Sequence, residues 1–310
     1  MKRYSLYLVA LLASVVSIGH LVREWIIMRT RERLGGVDSM ETVKDSFALA
    51  RQHSFGFFND ITDMQWKLMQ QNARSESLFQ HSTSPEDGAL WLLNNADPIF
   101  SCMHSKRILG RGDGPKWVCD PHRLNENEDC LIYSIGSKGK YEFEDGIVSY
   151  LGGPKCEIHV FDPNPKYARE GDPEKKNIHY HAWGLGSSYN SQTSMYKSIF
   201  EIVEELGHEG RRIDILKIDC DGCEWETYKD WLDPKIDVRQ LLVEIHAAKQ
   251  KGNKLIRFFI DFLGRGFLPF SKEANTKPKN LRCGSFFEYG FIRLDTSFLG
   301  NEMGSIMAHK

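Results

Sequence analysis

Short apolar runs with β character recur through the second half of this chain, each closed by a small, acidic or turn-forming residue. Cys130 to Ile135, Glu157 to Phe161, Ile178 to Ala182, Ile213 to Ile218 and Gln240 to Ile245 are five such runs. Between and after them, Ser198 to Leu206, Trp225 to Trp231 and Lys254 to Leu263 carry apolar positions at helical spacing. Strands alternating with helices in this way predict an α/β fold whose sheet is mostly parallel and covered on both faces. Gly266 to Phe270 and Phe286 to Leu294 are also strand-like, and too little chain separates them for a large crossover helix. They predict an antiparallel pair at the C-terminal edge.

Upstream the pattern weakens. Thr42 to Leu49 and Ile61 to Met69 read as helices of modest periodicity between polar spacers, so residues 23–83 read as a partly helical stem. Ser84-Pro85-Glu86-Asp87 is a clearer helix start: a capping side chain, a proline suited to the first position, then acids at the positive helix end. Ala89 to Leu93 supplies its apolar face, which places the folded domain at 84–310.

Residues 1–22 stand apart. Tyr4 to Val22 carries no formal charge except on His20, and as a helix would span about 28 Å. It reads as a membrane anchor, with Leu6 to Val16 as the core of a cleaved signal peptide in the alternative reading. Arg23, Arg29, Arg31 and Arg33 outweigh Lys2 and Arg3, which disfavours a luminal C-terminal domain. Seven cysteines, all beyond this segment, argue the opposite, because they suit an oxidising compartment. Taken together these place the domain in the lumen of the endoplasmic reticulum or Golgi, or outside the cell if the segment is cleaved. The remaining composition is balanced: 41% hydrophobic, 26% charged, net charge -2 and no basic stripe, which gives no ground for a nucleic-acid partner.

The candidate chemistry lies where strands end. Gly136 and Gly139, with Ser137 between them, follow the first run, where a tight turn can aim backbone N–H groups at a ligand. Asp162 ends the second run and is placed to accept from a ribose diol. Asp219 ends the fourth, with Asp221 and Glu224 just beyond it at a helix start. Glu244 and His246 share one face of the fifth, and a histidine beside a carboxylate can accept a proton near neutral pH. Asp219, Asp221, Glu244 and His246 could equally hold a divalent metal. Cys220 and Cys223 have redox-motif spacing but no evident cation to lower a thiol pKa; disulfide, free thiols and a buried pair all remain open. Cys119 and Cys130 flank an acidic, Asn-rich loop and are a candidate bridge, although pairing is not readable from sequence.

Four segments taken together carry a family resemblance: Cys130-Leu-Ile-Tyr-Ser-Ile-Gly-Ser137, Ile158-His-Val-Phe-Asp-Pro163, Ile213 to Trp225 with its Lys-Ile-Asp-Cys-Asp-Gly core, and Leu241-Leu-Val-Glu-Ile-His246. In this order they resemble the seven-strand, Rossmann-like S-adenosylmethionine-dependent methyltransferases. The likeness is nearest to the FkbM-like group and its membrane-anchored or secreted relatives, and covers residues 95–295. It implies that Gly136, Ser137 and Gly139 lie beside the methionine part of S-adenosylmethionine, that Asp162 holds its ribose, and that Ala182 borders the adenine. Asp219, Glu244 and His246 would line the acceptor side, with Asp219 also a cofactor-binding candidate, His246 the first choice as proton acceptor and Asp219 the second. The first cofactor loop lacks the usual acid and richer glycine run, and Asp219-Cys-Asp-Gly222 stands where Asp-x-Glu-Gly is familiar.

The group suggests a hydroxyl on a sugar or another small polar molecule as acceptor. Trp183, Tyr189 and Trp225 are aromatic candidates for its contacts, and Ser271 to Cys283 a candidate rim. Two other functions compete. Asp219-Cys220-Asp221 is an Asp-x-Asp after an apolar strand, as in metal-dependent glycosyltransferases, and the altered glycine loop would suit a binding module that has lost catalysis.

Overall fold

The computed structural model describes residues 46–79, 86–108, 116–169, 177–187, 195–248, 250–275 and 286–300. Helices α1 (Ala48–His53), α2 (Asp63–Ser75) and α3 (Gly88–Asn94) come first, followed by a short antiparallel pair, β1 (Ser105–Ile108) and β2 (Lys116–Cys119). The central alternation is β3 (Leu131–Ile135), α4 (Glu142–Tyr150), β4 (Glu157–Phe161) and β5 (Ile178–His181). A two-residue pair, β6 (Gly184–Leu185) with β7 (Tyr196–Lys197), leads into α5 (Ile199–Glu205). Then follow β8 (Ile213–Ile218), α6 (Glu224–Trp231), β9 (Val238–His246), α7 (Gly252–Gly264), β10 (Phe267–Ala274) and β11 (Phe286–Arg293).

Seven strands form one sheet in the order β10-β11-β9-β8-β3-β4-β5. β11 lies between β9 and β10 and runs antiparallel to both, while the other pairings are parallel. This is the mostly parallel sheet with a C-terminal antiparallel pair that the run spacing predicts. β3 and β8 are buried at every position, which is why they read as predominantly apolar runs without regular alternation, with Asp214 and Lys217 the charged exceptions in β8. α7 lays Phe258, Phe259 and Phe262 on β11, with Phe259 at 5.3 Å from Tyr289 and Phe262 at 4.8 Å from Phe291 between ring centroids. α5 starts on a capping box in which Ser198 and Glu201 satisfy each other's backbone N–H groups. From β3 the chain steps outward to β4 on one side, and β8 lies on the other. The strand order therefore reverses between β3 and β8, the position at which open α/β sheets bind ligands.

The expected stem ends differently. Residues from Ser46 onward form one compact unit, so the boundary drawn at residue 84 is too late. Phe58 and Trp66, both fully buried, pack with Phe100 and Phe298 at centroid separations of 5.3–5.8 Å. Gln70 and Arg74 of α2 donate to the Phe298 carbonyl, and Asp295 N–H donates to the His53 carbonyl. The periodicity looked modest because α2 buries only Trp66 and Ala73.

α3 is capped by Asp87, whose side chain accepts from the Ala89 and Leu90 N–H groups; the expected Ser84-Pro85 start lies outside the described residues. Cys119 pairs with Cys102 and Cys130 with Cys156, so the expected Cys119–Cys130 bridge does not form. Cys283, Tyr189 and the N-terminal anchor segment fall outside the described residues. Among the described residues no helix is long and apolar enough to cross a membrane. Of the expected rim, Ser271 to Ala274 belong to β10 and the stretch from 276 to 283 is outside the described residues.

Candidate active site

The turn after β3 sits at the reversal point. Gly136 adopts φ +81°, and a Cβ there would stand 1.8 Å from the Asp219 carbonyl oxygen. Only glycine fits. Gly136 N–H donates to the Phe161 carbonyl and Asp219 N–H to the Ile135 carbonyl, so this turn and the ends of β4 and β8 touch through backbone alone. Lys138 and Gly139 also have positive φ, and Ser137 Oγ accepts from the Gly139 N–H at 3.3 Å. Asp162, just past β4, accepts from the Lys138 N–H with one carboxylate oxygen (3.0 Å) and from the Asn164 N–H with the other (3.1 Å). Asp162 N–H reaches the His181 carbonyl at the end of β5, immediately before Ala182. Gly136, Ser137, Gly139, Asp162 and Ala182 thus gather at the carboxyl end of three neighbouring strands.

The other half of the site is acidic and, apart from Asp221, largely buried. Asp219 meets the buried ammonium of Lys116 at 3.3 Å, and Lys116 also makes a close ion pair with Glu288 of β11. Burial opposes the charge on Lys116, but the carboxylates of Glu288 and Asp219 outweigh it and raise its pKa. Burial would raise the Asp219 pKa as well; the charges of Lys116 and Lys217 instead hold it well below the usual carboxylate range. Glu244 takes the opposite course. Burial, reinforced by the charges of Asp219 and Glu288, pushes it up to about 8, so it carries a proton at neutral pH. Its Oε1 accepts from the Asn275 amide at 3.0 Å.

His246 ends β9. Its Nδ1 lies 2.9 Å from Oε1 of Glu224, and the same oxygen accepts from the His246 backbone N–H at 2.9 Å. Glu224 is fully buried at the first turn of α6, and its carboxylate, an acceptor, fixes the proton on Nδ1. Nε2 then points between Glu244 (3.6 Å) and Asp221 (3.8 Å), with the Phe286 ring edge-on at 4.9 Å. The loop carrying Asp221 is closed by a Cys220–Cys223 disulfide, and Asp221 is paired with Lys138 of the glycine turn at 2.5 Å.

Of the four candidate metal ligands, Asp221, Glu244 and His246 bring ligand atoms within 4.8 Å of one another and could hold a divalent ion. Asp219 belongs instead to a group with Glu244 and Glu288, where Lys116 neutralises it. Trp225 donates to the His246 carbonyl and is nearly buried, so it supports the dyad and offers no open aromatic face. Two participants, Lys116 and Glu288, escaped sequence reading, and so did the pairing of Glu224 with His246. Lys116 has no motif around it, and Glu224 stood among the candidate acids only as a helix-start residue. Glu288 left one signal, a charge inside an otherwise apolar strand.

This sheet order, with a glycine turn and an acid at the reversal point, defines a methyltransferase-type α/β fold. A profile described as a methyltransferase domain matches residues 48–293, most of the chain, and the protein belongs to that family. No curated protein sequence matches it. Among solved structures it is similar to the 1,6-didemethyltoxoflavin-N1-methyltransferase of Burkholderia thailandensis, with bound 1,6-didemethyltoxoflavin and S-adenosylhomocysteine. The identity is 12% and the TM-score 0.34, over 57% of this chain and 79% of that one. It is also similar to the precorrin-6y C5,15-methyltransferase of Geobacter metallireducens GS-15, at 11% identity and a TM-score of 0.33, over 56% and 85%. Likenesses of this size add nothing to the assignment, which stands on the family match and the sheet. The family match displaces the glycosyltransferase reading of Asp219-Cys-Asp221, whose two acids are in any case paired with different lysines.

Proposed function

We propose that the protein is an S-adenosylmethionine-dependent O-methyltransferase of FkbM-like type, acting on a hydroxyl of a sugar or another small polar acceptor. The observation that carries this is the Glu224–His246 pair, which leaves Nε2 as an oriented proton acceptor beside the acidic strand ends. The donor set on the other side fits the cofactor: a glycine turn for close approach, and a nearly buried carboxylate whose remaining lone pairs can accept from a diol.

When bound, S-adenosylmethionine would supply a methyl group on a sulfonium as electrophile for the acceptor oxygen, with the thioether as leaving group. The chain's own task is alignment and proton removal. Gly136, Ser137 and Gly139 would border the methionine part, Asp162 the ribose and Ala182 the adenine. His246 Nε2 takes the hydroxyl proton as the oxygen attacks, and Glu224 stabilises the imidazolium that results. Glu244, protonated, stays close to His246 without adding a second negative charge, and Asp219 is held in place by Lys116.

Calorimetric titration of the full chain is expected to show saturable binding of S-adenosylmethionine with one site and no requirement for added metal. A flat titration of folded protein would remove the basis of this reading. A domain inside the endoplasmic reticulum or Golgi, held by residues 1–22 or secreted after their cleavage, is supported by the three disulfides. In intact microsomes the domain should resist protease until detergent is added; digestion without detergent would place it in the cytosol.

A further inference from the structure

At the opposite end of the sheet, the amino ends of the strands carry a group of side chains that methyl transfer does not use. Glu157 is the first residue of β4, about 16 Å along the strand from Asp162 at 3.3 Å per residue. His159 follows on the same face, with Tyr133 of β3 as its register partner on one side and His179 of β5 on the other. His208, beyond the end of α5, closes over them.

Three atoms converge. His159 Nε2 lies 2.9 Å from Glu157 Oε1, and His208 Nε2 lies 3.6 Å from the same oxygen; all three fall within 4.8 Å of one another. Ligands of a tetrahedral zinc ion stand about 3.3 Å apart, given metal–ligand bonds of about 2.0–2.1 Å. The two measured separations bracket that value.

The other polar atom of each group is already held. His159 Nδ1 is 2.8 Å from His181 Nε2, His208 Nδ1 is 2.7 Å from the Tyr133 hydroxyl, and Glu157 Oε2 accepts from Arg211 at 2.8 Å. Outer partners of this kind fix ring orientation and tautomer at metal sites, so that the inner nitrogen presents its lone pair. A hydrogen-bond network formed only for packing has no need to clamp all three outer atoms while aiming all three inner ones at a single point. His159 and His208 are nearly buried, whereas the Glu157 side chain keeps 36% of its surface exposed, which leaves a path for an ion and room for a water as fourth ligand.

We propose that Glu157, His159 and His208 form a binding site for one divalent transition-metal ion of the zinc class, distinct from the catalytic end of the sheet. Two imidazoles and one carboxylate suit zinc, and also cobalt as its spectroscopic substitute, better than magnesium or calcium. The ion would tie the start of β4 to the segment entering β8, so its role is to brace the two strands that flank β3.

The test uses the full chain stripped with a chelator and titrated with Co²⁺ under visible absorption, then with Zn²⁺ by calorimetry. One equivalent of Co²⁺ with the intense bands of a four-coordinate site, displaced by Zn²⁺, is expected. Glu157→Gln, a half-exposed position whose replacement keeps the fold, and His208→Ala should each weaken binding by more than about tenfold. His246→Ala should bind the ion unchanged. Absence of binding in the unmodified chain overturns the proposal. So does binding that survives both Glu157→Gln and His208→Ala, or that is lost in His246→Ala, which would put the ion on Asp221, Glu244 and His246.

Discussion

Replacing His246 by alanine is expected to lower methyl transfer by about 10²- to 10⁴-fold, the contribution typical of a positioned general base. Calorimetric affinity for S-adenosylmethionine should not change, because the cofactor side is built from β3, β4 and β5, while His246 ends β9. The pH profile adds a second signature. His246 accepts a proton only in its neutral form. Burial lowers its pKa, but the hydrogen bond and charge of Glu224, with the charge of Asp221, outweigh burial and raise it above 6.5. Turnover should therefore be lost as pH falls through that raised value, with the acid limb lying above 6.5. Glu224→Gln removes the largest raising influence and should move the limb to lower pH while reducing the maximum. Glu244, which loses its proton near 8, should impose a further change on the alkaline side. Cofactor affinity and turnover falling in parallel in His246→Ala would assign the residue to structure and leave the proton acceptor to be sought at Asp219.

A chain begun at residue 84 is expected not to fold, whereas one begun at residue 46 should melt cooperatively. The shorter form loses Phe58 and Trp66, both fully buried against Phe100 and Phe298. Truncating one buried large aromatic costs about 3–5 kcal/mol, and a whole domain commands only about 5–15 kcal/mol. Removing two such rings at once consumes most of that margin, before the buried Arg123 is considered. Arg123 Nη1 reaches the Phe57 carbonyl and the Asp60 carboxylate, and would lose both partners. Circular dichroism during heating reads the outcome: a cooperative transition in the shorter chain close to that of the longer one would show that the N-terminal helices are a dispensable appendage.

The fold was legible where burial is two-sided. β3, β4 and β8 were visible as apolar runs within a residue of their ends, since a strand covered on both faces needs no alternation. β1 and β2 were not visible, because Ser105-Lys-Arg-Ile is mostly exposed and β2 begins on a lysine whose charge is neutralised from elsewhere. α4 was missed for a related reason: its acidic first turn includes Glu144, which is buried. The candidate site was legible in its strand-end acids and His246, because a charge closing an apolar run is conspicuous in one dimension. Lys116 was not, since its partner Glu288 lies 172 residues away and no local pattern marks Lys116 itself. Disulfide pairing was illegible for the same reason: Cys102 finds Cys119 and Cys130 finds Cys156 only once the strands are in register.

The latch between α2 and Phe298 also bears on the order of events during synthesis. Gln70 waits for a carbonyl 228 residues further along the chain. A polypeptide emerging amino end first therefore exposes Phe58 and Trp66 long before Phe298 exists to cover them, and their burial is completed only when that distant segment arrives.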